Sequence, residues 1–153
     1  MTPIRTSAKA LIIHEGRLLA IKHLDADGEW YSLPGGGQDP GETLQIALRR
    51  ECQEELGVDV EVGDLRFVRE YIGANHEFSN EDADVHQVEF LFECRLLQEI
   101  EGAKPSKPDP RQVATAWLAL AHLPNHRLYP SPLRSLLSTS PSASLPIYLG
   151  DVN

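Results

Sequence analysis

The sequence contains little sulfur. Among its 153 residues it has one methionine and two cysteines, Cys52 and Cys94. Two cysteines at this separation match neither a zinc-ligand spacing nor a redox pair, so a zinc ribbon, a disulfide framework and thiol redox chemistry are excluded. A single disulfide would be possible but is not needed. We expect both residues to be buried thiols in a reducing cytoplasm.

Positive charge is also scarce. Lysine and arginine total 14 against 23 acidic residues, which gives a formal net charge of −9. This balance argues against electrostatic capture of polymeric nucleic acid or of an anionic membrane. No apolar run reaches membrane-spanning length, and the N-terminus lacks a signal-type apolar region. The sequence therefore predicts a cytoplasmic protein with no membrane or nucleic-acid partner.

The hydrophobic content of 41% and the charged content of 24% are typical of a globular protein, and the length predicts a single domain over residues 1–153. Apolar alternation bounded by turn residues predicts a series of strands. The predicted strands span residues 8–14, 17–23, 30–34, 58–71 (continuous or broken near Gly63), 86–97 and 114–120. A short helix is predicted after Pro130, and residues 99–112 and 138–144 are predicted to be a connector and a loose segment.

One longer helix is predicted over residues 43–56, where good helix formers are not interrupted by proline. Thr43 can serve as its N-cap, and Gly57 can supply the left-handed residue that ends it. At 100° per residue, one face of the helix is apolar. That predicted core face consists of Leu44, Leu48, Cys52 and Leu56.

The same helix carries Glu51, Glu54 and Glu55 at or near the edge of its apolar face. Carboxylates in such positions are costly unless a positive group compensates them. Arg50 alone cannot neutralise three carboxylates, so the local charge favours a hard, oxygen-preferring cation. A solvated glutamate face is the alternative explanation. The helix by itself does not decide between the two.

The segment before the helix reads LPGGGQDPGE, a glycine-rich connection that allows close approach of a ligand to the backbone. Gly36 is followed after five residues by Glu42, and after seven more by RECQEELGV, residues 50–58. This spacing resembles the Nudix box, the defining motif of the Nudix hydrolases. Cys52 is the one departure, because the family usually carries a larger aliphatic residue there.

The resemblance implies an α/β fold in which a mixed sheet is sandwiched between helices. It also implies that Glu51, Glu54, Glu55 and the carbonyl of Gly36 hold Mg²⁺, with Mn²⁺ as a possible substitute. Arg50 would fix the glutamates by salt bridges, and Glu42 would support them. Homodimers are common in the family, so a homodimer is also expected.

The activity implied is metal-dependent hydrolysis of the pyrophosphate linkage in a small nucleotide, of the nucleotide sugar, ADP-ribose or nucleoside triphosphate type. The general base is expected to be Glu51 or Glu54. The next candidates are Glu89 and Glu93, which share one face of the strand over residues 86–97. Two alternatives remain, a non-catalytic nucleotide-sensing module and an isomerase of isopentenyl diphosphate.

Several segments outside the motif are candidates for substrate contacts. The acidic, polar segment over residues 73–86 is expected to be a loop used in substrate selection or dimer contact, with plain disorder as the alternative. His76 and His86 could contact a phosphate or a base, although surface histidines usually have no such role. The Trp30-Tyr31 pair is expected to serve packing rather than base stacking. Arg5 and Lys9 are expected to be solvated edge charges, although the resemblance implies that their strand can lie near the substrate.

Overall fold

A computed structural model describes residues 2–100, 112–138 and 145–153. Its eight strands are β1 (Arg5–His14), β2 (Arg17–Asp25), β3 (Gly28–Ser32), β4 (Gly35–Gly37), β5 (Val60–Ile72), β6 (His86–Leu96), β7 (Gln112–Ala119) and β8 (Tyr148–Asp151). Its α-helices are α1 (Leu44–Leu56), α2 (Ser79–Asp82) and α3 (Leu133–Leu136), and 3₁₀ turns span Gly73–Asn75 and Leu120–Asn125.

The strands form one mixed sheet in the order β3-β2-β1-β6-β5-β8, with β4 also paired to β1 and β7 also paired to β2. The pairs β1–β6 and β5–β8 are parallel, and the other pairs are antiparallel. The turn between β1 and β2 is made by Glu15 and Gly16, both with positive φ. This sheet brings β4, β1 and β6 side by side, which positions the residues discussed below.

Side chains alternate along the central strands and so build a core on each face of the sheet. On one face, Ala8, Ala10 and Ile12 of β1 pack with Phe92 of β6 and with α1. On the other face, Leu11 and Leu91 pack with residues of the C-terminal segments, including Leu123, Leu133 and Leu137. The mixed sheet therefore lies between helices, which confirms the predicted fold class.

Helix α1 begins and ends where the sequence predicts. The Thr43 hydroxyl accepts a hydrogen bond from the Ile46 amide at 3.1 Å, and Gly57 has a left-handed φ of 72°. Leu48, Cys52 and Leu56 are buried, and Leu44 is packed against the same core. The predicted apolar face is confirmed.

Some boundaries differ from the prediction. Strands β2 and β3 extend into the polar stretch over residues 23–29 and leave only a short turn, because the two strands pair as far as Asp25 and Gly28. The segment over residues 73–86 is not one open loop, since it contains a 3₁₀ turn and α2. Strand β5 is continuous, with register shifts near Leu65. The connector and the Ser-rich segment fall largely on residues 101–111 and 139–144, outside the described residues.

No helix in the described part of the chain is both long enough and apolar enough to cross a membrane.

Candidate active site

The glycine connection forms strand β4, which pairs with β1 and lies against α1. Gly36 of β4 lies directly against the Glu51 side chain of α1. A Cβ atom on Gly36 would lie 2.6 Å from Cδ of Glu51 and 2.7 Å from its Oε2. The absence of a side chain at Gly36 leaves this space for the Glu51 carboxylate. The backbone of β4 and a carboxylate of α1 therefore lie side by side.

Arg50 binds the carboxylates of this region together. Its Nε donates to Glu42 Oε2 at 2.7 Å and its Nη2 donates to Glu42 Oε1 at 2.9 Å, which is a bidentate pair. Its Nη1 donates to Glu51 Oε1 at 3.0 Å and to Glu54 Oε1 at 3.5 Å. Nη2 also donates to the Gly37 carbonyl at 2.9 Å. The planar fork of arginine makes this set of contacts possible.

The charge of the cluster stays strongly negative. The carboxylates of Glu42, Glu51 and Glu54 share the one guanidinium. Hydrogen bonds from Arg50 and from the Asp39 amide hold the pKa of Glu42 at about 2, and the same contact with Glu42 raises the pKa of Arg50. These three carboxylates and the single guanidinium together carry a net charge of −2.

These donors fit a hard divalent cation by their chemistry. Carboxylates and a backbone carbonyl are the oxygen ligands that Mg²⁺ prefers, and the side chains of Glu51 and Glu54 are only 17% and 23% exposed. In the described residues, however, no three acidic, histidine or cysteine side chains enclose a common metal position. Arg50 contacts Glu42, Glu51 and Glu54 at the same time.

A cavity of about 130 Å³ lies on the face of the sheet opposite helix α1. Its walls include three aromatic rings that pack on one another. The centroid of Phe78 is 5.9 Å from that of Trp30 and 5.5 Å from that of Tyr129. Trp30 therefore lines the cavity, whereas Tyr31 is buried in the core. Both rings pack against other side chains, Tyr31 in the core and Trp30 against His23, Phe78 and Tyr129.

Glu89 lies at this cavity, apart from the cluster around Arg50. Its Oε1 accepts a hydrogen bond from Arg69 Nε at 2.8 Å, and both side chains are buried. Burial raises the pKa of the Glu89 carboxyl, but the positive charges of Arg69 and Lys9 outweigh it, so the pKa lies below its ordinary value. Glu89 is therefore a buried, ionised carboxylate.

The side chains of Lys9 and Arg5 lie beside strand β4, and the sequence pattern gave little indication of this position. Lys9 is half-buried, lines the cavity and donates to the Gly35 carbonyl at 3.3 Å, so it is not a solvated edge charge. Arg5 is exposed, but its Nη2 would be 2.8 Å from a Cβ on Gly37. The alternation of β1 placed Lys9 on the same face as Leu11. The pairing of β1 with β4, which the sequence did not reveal, positions Lys9 beside the glycines.

The remaining candidates lie elsewhere. Glu93 is exposed and forms an ion pair with Arg66, away from the cavity. His86 pairs with Glu70 at 3.0 Å, and His76 pairs with Asp151 at 2.6 Å. Neither histidine lines the cavity. The structure thus groups Gly36, Glu51 and Glu54 around Arg50, and it leaves Glu89 on the opposite face of the sheet.

Comparisons with known proteins show the family to which the chain belongs. A family model described as NUDIX domain matches residues 3–138. The nucleoside triphosphatase NudI of Salmonella heidelberg is 32% identical over 96 residues, which are 59% of this chain and 67% of that protein.

Among solved structures, a MutT NUDIX hydrolase from Burkholderia pseudomallei is 27% identical with a TM-score of 0.68, covering 90% of this chain and 99% of that one. An ADP-ribose pyrophosphatase from Streptococcus suis shares the fold, with 23% identity, a TM-score of 0.62 and coverage of 97% and 100%. The chain therefore belongs to the NUDIX domain family and is a Nudix hydrolase.

Proposed function

We propose that the protein uses a divalent cation, Mg²⁺ or Mn²⁺, to hydrolyse the pyrophosphate linkage of a small nucleotide. The observation that carries this proposal is the cluster in which Arg50 joins Glu42, Glu51 and Glu54 beside Gly36. Glu51, Glu54, Glu55 and the Gly36 carbonyl would hold the ion. Bound there, the ion would offset phosphate charge and lower the pKa of a water molecule.

The chain's own residues have separate parts in this proposal. Arg50 orients Glu51 and Glu54 through its Nη1 contacts. One of these two glutamates accepts the proton of the attacking water. Glu89 is the second candidate for the base, because it is ionised and faces the cavity, but its tight pairing with Arg69 ranks it lower.

The cavity would hold the nucleoside. Trp30, Phe78 and Tyr129 offer aromatic surface against which a base can pack. At about 130 Å³ the cavity accommodates one part of a nucleotide rather than the whole. Strand β4 lies between the cavity and Glu51, so the phosphates would pass over the glycines, where Lys9 and Arg5 can contact their oxygens.

The substrate would be a nucleotide sugar, ADP-ribose or a nucleoside triphosphate. The similarity to a nucleoside triphosphatase over 96 residues supports a nucleoside triphosphate. The fold shared with an ADP-ribose pyrophosphatase is compatible with ADP-ribose or a nucleotide sugar. We further propose one domain over residues 1–153 that acts in a reducing cytoplasm as a homodimer. The two free, buried thiols support the reducing compartment, and light scattering of the purified protein tests the dimer.

The isomerase alternative is disfavoured by a specific observation. Cys52 is fully buried in the core, and burial raises the pKa of its thiol. A reactive active-site cysteine requires an accessible thiol with a lowered pKa. The sensor alternative predicts nucleotide binding without turnover, which the following experiment detects.

The test is chromatographic detection of products across a panel of nucleotides with Mg²⁺, for the wild type, Glu54→Gln and Glu15→Gln. Glu15 is an exposed turn residue and serves as the control for loss of one carboxylate. We expect turnover of one nucleotide class that falls by at least about 100-fold in Glu54→Gln and is unchanged in Glu15→Gln. Normal turnover in Glu54→Gln would remove Glu54 from the mechanism.

A readout independent of turnover is the binding of Mn²⁺, measured by electron paramagnetic resonance. The double variant Glu54→Gln/Glu55→Gln should lose Mn²⁺ affinity, while Glu15→Gln should keep it. Equal affinity in all three proteins would contradict the assigned ligands.

A further inference from the structure

Residues 73–85, here termed the rim segment, form part of the cavity wall. The segment contains the 3₁₀ turn Gly73–Asn75 and helix α2. It contributes Phe78 and Asp82 to the cavity, and the Asp82 carboxylate accepts a hydrogen bond from the Tyr71 hydroxyl at 2.7 Å. Any ligand in the cavity therefore meets an aromatic ring and a carboxylate from this segment.

The rim segment has little attachment to the hydrophobic core. Helix α2 has no buried residue, and Gly73 is the only buried residue of the segment. Segments with few buried apolar contacts open at low free energy unless polar contacts hold them. Apart from the packing of Phe78 on Trp30 and Tyr129, hydrogen bonds hold the segment in position.

One carboxylate accepts two of these bonds, while Tyr71 donates to Asp82 and Asn153 donates to Glu77. Asp151 of strand β8 accepts from the Ile72 amide at 2.9 Å and from His76 Nε2 at 2.6 Å through Oδ1. Its Oδ2 accepts from Asn75 Nδ2 at 2.9 Å. Burial raises the pKa of Asp151, but these donors outweigh it and hold the pKa at about 2. Asp151 is thus ionised, and it accepts hydrogen bonds from Asn75 and His76 of the rim segment and from the adjoining Ile72 amide.

Asp151 is itself fixed by the sheet. Strand β8 pairs in parallel with β5, and Asp151 lies opposite Glu70 in that pairing. The far end of the rim segment returns to its start, because the Gly73 amide donates to the Val85 carbonyl at 2.9 Å. A Cβ on Gly73 would be 2.0 Å from the Asp82 carbonyl oxygen, so the closed segment requires glycine there.

We propose that Asp151 is a positioning residue that holds the rim segment over the cavity, so that Phe78 and Asp82 select the nucleotide that is bound. The inference rests on the proposed function, because it assigns the nucleoside to this cavity. The carboxylate of Asp82 favours bases that present an N–H or amino donor, and the ring of Phe78 packs against the base. Asp151 touches no substrate and acts only through the segment.

Two variants perturb the rim segment by different means. Asp151→Ala removes the acceptor, and Gly73→Ala forces the turn away from Asp82. The control is Asp64→Ala, which removes one negative charge from an exposed position at the other end of β5. None of these residues belongs to the cluster around Arg50.

The first measurement is hydrogen–deuterium exchange of the full chain. We expect faster exchange over residues 72–85 in Asp151→Ala and Gly73→Ala, with the α1 amides unchanged and Asp64→Ala like the wild type. Unchanged exchange in Asp151→Ala would overturn the inference, because the carboxylate would then not hold the segment.

The second measurement is steady-state kinetics on the nucleotide that the wild type hydrolyses and on one with a different base. In both rim variants we expect KM for the preferred nucleotide to rise about tenfold at a kcat within about twofold, with the preference between bases reduced. Asp151→Asn, which keeps one acceptor oxygen, should be intermediate. Faster exchange with an unchanged KM and preference would overturn the inference while leaving the proposed function intact.

Binding gives a readout that does not require turnover. In a Trp117→Phe background the fluorescence of Trp30 reports on the cavity, and titration with the same nucleotides should show weaker binding for Asp151→Ala. If the wild type binds but does not hydrolyse, the proposed function fails and this titration decides the inference. If no nucleotide changes the fluorescence, the inference is overturned as well.

Discussion

Arg50 contacts carboxylates that come from two directions, Glu42 before the helix and Glu51 and Glu54 within it. Its side chain is 29% exposed, so water screens these pairs only in part. The guanidinium also donates to the Gly37 carbonyl and so connects the glycine strand to the helix. A single residue thereby sets the relative positions of the proposed metal ligands.

Replacing Arg50 tests whether this geometry, rather than charge alone, is needed. Arg50→Lys keeps the charge but cannot bridge the same acceptors, so we expect kcat to fall by at least about tenfold and the free energy of unfolding to fall by about 2 kcal/mol. Arg49→Lys, at the exposed neighbouring position, should change neither quantity. Urea denaturation and steady-state rates measure both. Wild-type kcat in Arg50→Lys would show that charge is sufficient.

Replacing Gly36 tests whether the glycine strand must lie this close to helix α1. In Gly36→Ala the new methyl group must displace the Glu51 carboxylate, a flexible side-chain end that can move without unfolding the protein. We therefore expect a melting temperature close to that of the wild type but a weakened Mn²⁺ affinity and a lower kcat. Gly37→Ala meets only the Arg5 guanidinium and should have the smaller effect. Equal Mn²⁺ affinity in Gly36→Ala and the wild type would contradict the role of Glu51.

Helix α1 combines two functions on one element. Its buried face packs on the sheet through Leu48, Cys52 and Leu56, while its half-buried edge carries the glutamates. The positions of the glutamates therefore depend on the packing of the helix, because Cys52 and Leu56 are buried beside Glu51, Glu54 and Glu55.

Truncating the buried face should destabilise the whole protein. Leu48 is fully buried, whereas Ile46 on the same helix is 53% exposed. We expect Leu48→Ala to lower the free energy of unfolding by about 3 kcal/mol through lost burial and a cavity, and Ile46→Ala by less than about 0.5 kcal/mol. Chemical denaturation measures both. Similar losses in the two variants would mean that α1 is not packed as described.

At the scale of the whole molecule, the two cysteines report on the integrity of the fold. Cys52 of α1 and Cys94 of β6 are free, buried and part of the same core cluster. Burial raises the pKa of both thiols, that of Cys94 to about 12. The thiolate is the reactive form, so both groups should be inert in the folded protein.

We accordingly expect no reaction of the native protein with a chromogenic disulfide reagent at pH 8, and reaction of two thiols per chain in urea. The Leu48→Ala variant should react faster than the wild type without denaturant, because its unfolded population is larger. Rapid labelling of the native wild type would contradict the burial of the thiols.

The local pattern of the sequence determined the elements. The 100° periodicity with Thr43 and Gly57 at its ends located α1 correctly, and the alternation of residues 8–14 and 86–97 located β1 and β6. These features depend on neighbouring residues, so they can be read from one chain. Pairing extended β2 and β3 beyond the predicted ends, since strand partners stabilise residues whose own propensity is low.

The motif also determined which residues gather at the site. The fixed spacing placed Gly36, Glu51 and Glu54 around Arg50, because a helix turn and a short connection leave little freedom in their relative positions. Only the tertiary structure decided the rest. The face occupied by Glu89, the position of Lys9 beside the glycines and the contacts of Asp151 with Asn75 and His76 depend on strand pairings between distant residues. Such pairings are set by the packing of the whole sheet and leave no local signal in the sequence.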